Sequence, residues 1–457
     1  MNTLIYTSVL GFFCMVAEIL NFRKFIVPVL VLGLALIFGL NMQDWNLNKT
    51  FYGMLRVDNF SVAFGGLAIF ITLLVFILSS EYYAQEEHHL SDYMAILTFI
   101  LAGALMMFSY SNLTMLFLGI ETLSIALYVM AGSKRFNILS NEAGFKYFLM
   151  GSFVSCFLLF GIALVFGTAG SFDIQKIAQY PILHQGHVSP LYYTGIALII
   201  FAMLFKASVA PFHFWAPDVY EGSPALITAY MSTLVKVAAF GALYKLVTAV
   251  FIYSNQQIEL ILNICAILTL VVGNLMALSQ TNFKRLLAYS GISHAGYLML
   301  IILSSRTQPA AILLYYSLGY ALSTLAAFAI ALPVFKATGS ENIDAFNGLG
   351  SKKPVLAAAL SVAMLGLAGI PPMAGFLGKY FIFTEALQNG FFYTTLIAII
   401  TSIVGVYYYF KVILAMYGQP TNDIKVETSF NYNLVLWVCL ALSLALGIYP
   451  GPVINLF

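Results

Sequence analysis

The stretch VSCFLLFGIALVFG occupies residues 154–167 and holds no charged residue. Its apolar side chains stand next to one another rather than on alternate positions. A barrel strand shows about 10 alternating residues, whereas a membrane-crossing helix takes about 20 mostly apolar ones. The run therefore reads as part of a transmembrane helix. The rest of the chain agrees: of 457 residues, 61% are hydrophobic and only 8% charged, with a mean hydropathy of +0.93. Soluble domains are nearer a quarter charged. This composition excludes a soluble globular enzyme and a disordered chain. A net charge of +2 is too small to attract nucleic acid. The fold class expected is an all-α polytopic membrane protein of about 14 transmembrane helices, which fit within 457 residues.

Working outward, the fourteen spans read at 4–21, 25–41, 59–79, 92–109, 112–131, 143–168, 191–214, 223–252, 258–279, 285–304, 309–335, 354–388, 391–417 and 432–454. The first follows Met-Asn-Thr without a basic segment or a cleavage motif, so it reads as a retained span. Spans 7 and 12 are odd. Span 7 runs into KASVAPFHFWAPD, and span 12 carries GIPP at its middle. As one helix, span 12 would be about 52 Å long against a ~30 Å hydrocarbon core, so a broken helix or two segments is expected.

Loop charge sets the orientation. One face carries Arg23, Lys24, Lys134, Arg135, Lys284, Arg285, Lys336, Lys352, Lys353 and Lys425; the other has Lys49, Arg56, Lys176 and Arg306. The positive-inside rule makes the richer face cytoplasmic and, with an even span count, puts both termini outside. The acidic loop SEYYAQEEHHLSD, residues 80–92, falls on the cytoplasmic face, where acids weigh little.

Six basic residues remain: Lys146, Lys206, Lys236, Lys245, Lys379 and Lys411. Lys146 and Lys245 lie near span ends and read as snorkelling side chains. Lys411 is open between relay and interfacial anchor, and Glu18 and Glu385 are weaker candidates near span ends. Lys206, Lys236 and Lys379 lie near mid-span, and Glu121 is the matching acid. A mid-membrane charge costs from ~3 to above 10 kcal/mol. A lysine balanced between burial and a neighbouring charge can switch protonation, which a proton relay requires. The competing structural role is a static ion pair. Glu121 and Lys206 are expected to lie close across spans 5 and 7. Lys236, with no acid within a turn, is expected to act as a relay.

An internal repeat supports transport. SYSNLTMLFLGIETLSIALYVM at 109–130 and SQTNFKRLLAYSGISHAGYLML at 279–300 both open S-x-x-N, and the odd spans 7 and 12 are also five apart. A repeat of five spans is inverted, and inverted repeats with broken helices are transporter architecture. The expected organisation is spans 1–3 at 1–90, a first five-helix half-channel at 91–253, an inverted second one at 254–417, and a last span at 418–457. At each break proline removes an N–H, freeing the carbonyl of Ala207 before Pro211 and those of Leu367 and Ala368 before Pro371 and Pro372. Lipid cannot satisfy such carbonyls, so water or polar side chains are expected there. His213, Trp215 and Asp218 crowd the first break. His294, in SHAGY, reads as a packing residue or as a relay near neutral pH. Tyr128 and Tyr289 read as packing or as holders of water chains.

Cys14, Cys156, Cys265 and Cys439 lie far apart in apolar runs without ligand spacing, so neither metal nor cofactor is expected in this chain. No GxGxxG, P-loop or G-x-S-x-G occurs.

KASVAPFHFWAPDVYEGSPALITAYMSTLVKVAAF (206–240), LLAYSGISHAGY (286–297) and GIPPMAGFLGK (369–379) resemble the antiporter-like membrane subunits of respiratory complex I and of multisubunit cation/proton antiporters. GIETLSIALYVMAG (119–132) and FKYFLMGSFVSCFLLFGIALVFGTAG (145–170) are similar to the subunit-N family of the bacterial proton-pumping NADH–quinone oxidoreductase. The resemblance covers roughly residues 90–420. It implies proton translocation driven by quinone reduction elsewhere in the complex. Glu121 would be the acid facing Lys206, Lys236 the central lysine, Lys379 the lysine of the second half-channel, and His213 and His294 polar groups on a water-filled axis. It also implies other membrane subunits as partners, with NADH, flavin, iron–sulfur clusters and quinone in those partners, and a place in the bacterial inner membrane. Two alternatives stand beside it: a subunit of a cation/proton antiporter, and an anchor for a hydrogenase-type complex. A scaffold without transport would tolerate neutralised charges. Lys206 precedes its break while Lys379 follows its own, so the two are not equivalent by repeat.

Overall fold

Span 7 stops at Lys206 and resumes at Trp215; span 12 stops at Ala368 and resumes at Ala374. The computed structural model describes residues 1–19, 25–83, 89–184, 188–250, 256–304, 309–419 and 426–457, with the backbone alone at Val250 and Gln256. Among them, 12 helices are long and apolar enough to cross a membrane. Two shorter apolar helices, Pro190–Lys206 and Pro354–Ala368, are the first halves of spans 7 and 12. Their second halves are Trp215–Gly222 and Ala374–Gln388. Twelve and two reproduce the fourteen crossings read from hydropathy.

Burial orders these helices. Spans 8 (Ala225–Ala249) and 10 (Phe283–Leu303) are enclosed along their whole length, and span 11 (Ala310–Thr338) nearly so. Spans 1 (Asn2–Ile19), 2 (Ile26–Gln43), 6 (Ile138–Ala169), 13 (Phe392–Tyr417) and 14 (Phe430–Ile448) form an outer ring. Side chains such as Phe153, Phe160 and Ile403 point outward, as a hydrocarbon solvent allows. Span 9 (Gln256–Leu278) packs on span 10 at short range, because a Cβ on Gly273 would meet the backbone nitrogen of Ser293 at 2.5 Å.

The repeat is visible at matching junctions. Asn112 caps span 5 (Leu113–Ala131) through Thr114, and Asn282 caps span 10 through Arg285. Leu113 N–H donates to Phe172 and Ile174 N–H to Ser111; likewise Phe283 donates to Glu341 and Ile343 to Thr281. Spans 6 and 11 both end on a left-handed glycine, Gly170 and Gly339. Each half thus ties the start of its second helix to the loop after its third, and five crossings per half invert the second copy.

Several expectations are corrected. Span 6 starts at Ile138, not 143, because the Asn137 side chain accepts from Leu139 and Ser140 and extends the helix through a polar first turn. A short hairpin, Lys49–Phe51 with Leu55–Val57, interrupts the all-helical reading. A 10-residue amphipathic helix, Ile174–Leu183, follows span 6 and is too short to cross. Lys284 and Arg285 are not loop charges but lie in the first turn of span 10. Arg23, Lys24, Arg306, Lys425, residues 84–88 of the acidic loop and the boundary at 253–254 lie outside the described residues.

Candidate functional site: a buried line of lysines and histidine

Lys206 is the last residue of its helix and is buried. Its Nζ donates to Ser124 Oγ at 2.8 Å and Tyr128 OH at 3.1 Å, both on span 5. Glu121 lies on the same helix, half-buried, and accepts a hydrogen bond from Ser155 Oγ of span 6. The expected contact between Glu121 and Lys206 is therefore not a direct ion pair. The lysine reaches past the acid by one turn, to Ser124, while the carboxylate turns to span 6.

Lys236 starts the second α-helical part of span 8, after Ala225–Tyr230 and directly after a π-helical segment, Met231–Val235. Such segments bulge the helix and re-aim side chains. Its Nζ donates to the carbonyl of Gly291 on span 10 and sits 6.0 Å from the ring centre of Tyr320. A Cβ on Gly291 would lie 2.9 Å from that Nζ, so the missing side chain makes room for the ammonium.

His294 is one turn beyond Gly291 and buried. Its Nδ1 meets Tyr316 OH at 2.7 Å and its Nε2 meets Tyr409 OH at 3.1 Å. Tyr409 in turn bonds Ser290 Oγ. Both imidazole nitrogens thus face hydroxyls that can donate or accept, so a proton can arrive on one nitrogen as another leaves the other. The Tyr320 ring, beneath Lys236, is 4.6 Å from the His294 ring.

Lys379 Nζ donates to the carbonyl of Ala368, at 2.7 Å, and to Ser402 Oγ, at 2.9 Å. It lies over the ring of Tyr297 at 4.9 Å, and Tyr297 packs against His294. Lys236, His294 and Lys379 therefore form one buried line with tyrosines between them. Among the described residues no acid pairs with Lys236 or Lys379, and no group of three metal-ligating side chains occurs.

The breaks are satisfied largely by side chains. At span 12 the freed carbonyl of Ala368 is taken by Lys379 itself. At span 7 the helix ends earlier than the proline argument requires. Ser208 is left-handed at φ 58°, and Trp215 Nε1 donates to Phe205 O at 3.0 Å. Side chains thus hold Phe205 O and Ala210 N–H, which donates to Thr269 Oγ1 at 2.9 Å. Each break contains one cis peptide, Ala210–Pro211 and Pro371–Pro372.

His213 is brought to none of these groups. Its ring lies tilted beside that of Phe214, and its Nδ1 is buried without a partner among the described residues. Lys146, about a third exposed, pairs with Glu142 at 2.6 Å and Asp218 at 2.9 Å. Asp218 also holds Arg285 at 2.8 Å, and Arg285 reaches Glu221 at 2.7 Å. Lys245 is part-buried and donates to Phe108 O at 3.0 Å. Lys411 caps the end of span 9 through Gln280 O at 2.8 Å, and Glu18 accepts from Ser91 at 2.5 Å. Sequence reading missed Ser124, Ser155, Tyr316, Tyr320, Tyr409 and Ser402. The signal was present for some of them, since tyrosines recur on spans 11 and 13 at helical spacing, but the same pattern describes packing.

Residues 110–405 match the family described as NADH:quinone oxidoreductase/Mrp antiporter, transmembrane. NADH-quinone oxidoreductase subunit N of Flavobacterium psychrophilum is 47% identical over 100% of both chains. The chain belongs to this family. Among solved structures, a chain of respiratory complex I from Thermus thermophilus with bound aureothin is similar at a TM-score of 0.85. It has 33% identity and covers 99% of this chain and 98% of its own. A chain of the Mrp complex from Dietzia sp. DQ12-45-1b has a TM-score of 0.84 and 19% identity, covering 99% and 95%, which shares the fold alone. The antiporter-like fold is thus common to both branches of the family, and the chain is a multi-pass membrane protein.

Proposed function

We propose that this chain is the proton-translocating subunit N of a bacterial NADH–quinone oxidoreductase. It moves protons along Lys236, His294 and Lys379, with the charge of Lys206 biasing that line, while quinone is reduced in other subunits. The observation that carries the reading is the buried line from Lys236 through His294 to Lys379, built without an acid partner in a chain of this family. A buried amine that is free of a carboxylate gives up its proton more easily than one held in an ion pair. Glu121 biases Lys206 from one turn away, and His213 stands outside the line. NADH, flavin, iron–sulfur clusters and quinone belong to partner subunits. The basic face carrying Lys134, Lys336 and Lys352 lies in the cytoplasm, which puts both termini on the periplasmic side of the inner membrane. Full-length identity of 47% to a subunit N, against 19% to an Mrp chain, favours the oxidoreductase over the antiporter.

Lys236 tests this directly in the assembled complex reconstituted into vesicles. Lys236→Arg keeps the charge but cannot deprotonate, so it should lose pumping as fully as Lys236→Ala, by about a hundredfold or more. Normal pumping by the Arg variant would show that only positive charge matters there. Co-purification of the chain with cation/proton antiporter subunits instead of redox subunits would favour the alternative.

A further inference from the structure

Span 8 opens into a cavity at each end. At its Lys245 end a cavity of about 500 Å³ is lined by Arg56, Asp58 and Lys245. At its Ala225 end a cavity of about 560 Å³ is lined by Lys134, Glu221, Ser223, Lys284, Lys336 and Glu341. Lys236 lies between them, roughly 15 Å from either end at 1.5 Å per residue.

The Ala225 cavity has a built floor. Lys284 is only 2% exposed, yet its Nζ pairs with Glu341 Oε2 at 2.7 Å and donates to Ser223 O at 2.7 Å. Glu341 is 35% exposed, so this ion pair has one wet and one dry end. Lys284 lies seven residues before Gly291 on span 10, two turns along the same face and about 10 Å away. Gly291 O is where the Lys236 ammonium rests. Among the described residues two buried hydroxyls nearby have no hydrogen-bond partner: Ser223 Oγ, at the cavity wall, and Thr324 Oγ1, one turn beyond Tyr320. Buried hydroxyls in polar surroundings are completed by water. The gap between Lys284 and Lys236 thus holds unfilled hydrogen-bonding capacity at both ends.

We propose that this cavity is the proton-uptake vestibule and that Lys284 is the first internal carrier. The inference rests on the translocation reading above. One Lys284 N–H bond breaks as a proton passes inward through hydrogen-bonded water, and one N–H bond forms on the neutral amine of Lys236; Lys284, left neutral, regains a proton from the Glu341 side. The static alternative is an ion pair that only staples span 10 to the loop at 339–343.

The two are separated in the assembled complex in vesicles, comparing proton pumping with quinone reduction in uncoupled vesicles. Lys284→Arg preserves the pair with Glu341 but not proton release. A carrier predicts that Lys284→Arg and Lys284→Met both lower the initial pumping rate at least fivefold, with Lys284→His recovering part of it. Full pumping by Lys284→Arg would overturn the proposal. Should the Lys284 variants fail to assemble, Lys336→Cys at the rim supplies a second test. Labelling it with a bulky membrane-impermeant maleimide should slow pumping at least twofold relative to the same unlabelled complex, and no change on full labelling would overturn the vestibule. Lys236→Ala run alongside separates the two levels. Loss there with normal Lys284→Arg defeats only the vestibule, whereas normal pumping in both defeats the translocation reading.

Discussion

The two broken helices answer the same physical problem in opposite ways. At span 7 the lysine comes before the gap and turns to another helix, to Ser124 and Tyr128 on span 5. The gap itself is closed by Trp215 and Thr269. At span 12 the lysine comes after the gap and turns back into it, donating to Ala368 O. A Cβ on Gly369, left-handed at φ 80°, would lie 2.8 Å from the Lys379 side chain, so the turn is shaped around the lysine. The first break positions a helix end, and the second holds a charge. Topological repetition therefore does not make the two lysines interchangeable.

Between the two breaks, the largest effect is expected at Lys379. Lys379→Met removes the ammonium and strips Ala368 O of its partner, which should cost pumping at least about tenfold. Lys379→Arg should do no better, since arginine keeps its proton and Gly369 leaves no space for it. Lys206→Arg should be milder, because Ser124 and Tyr128 can accept from a guanidinium. Equal loss in both Arg variants, measured on assembled complex, would dissolve the distinction.

Next come the prolines. Pro372→Ala restores an N–H four residues after Ala368, which competes with Lys379 for that carbonyl, so pumping should fall several-fold. Pro211→Ala should change little, because the helix already ends at Lys206. Equal losses would mean that both breaks act through proline.

A smaller effect is expected from the hydroxyls around Lys206. Ser124→Ala or Tyr128→Phe removes one hydrogen bond to a charged group, a loss of about 1.5–3 kcal/mol. Each should slow pumping a few-fold, while Ser402→Ala should do less because Lys379 keeps Ala368 O. The reverse ranking would put the weaker hold at span 7.

Smallest for transport is Thr269→Val. It leaves Ala210 N–H unpaired in a buried turn, which should cost about 1–3 kcal/mol of stability. Thermal unfolding of the purified complex in detergent should register the change, with pumping per intact complex near wild type.

Hydropathy was enough for the crossings because a bilayer imposes both length and composition. The failures are equally physical. The polar first turn of span 6 is set by the Asn137 cap, which a hydropathy reading does not weigh. Lys284 and Arg285 looked like loop charges because their partners Glu341, Asp218 and Glu221 are distant in sequence.

What the sequence determined by itself was the membrane environment, the fourteen crossings, the two interruptions and the identity of the buried charges, since each follows from the cost of polar groups in hydrocarbon. Tertiary structure alone decided which groups those charges meet. Lys206 takes Ser124 rather than Glu121, Lys236 takes Gly291 O, and Lys379 takes the carbonyl its own break exposes. The reason is that an ammonium has three donors and many acceptable partners, so its choice rests on helix phase and approach, which only the packed helices fix.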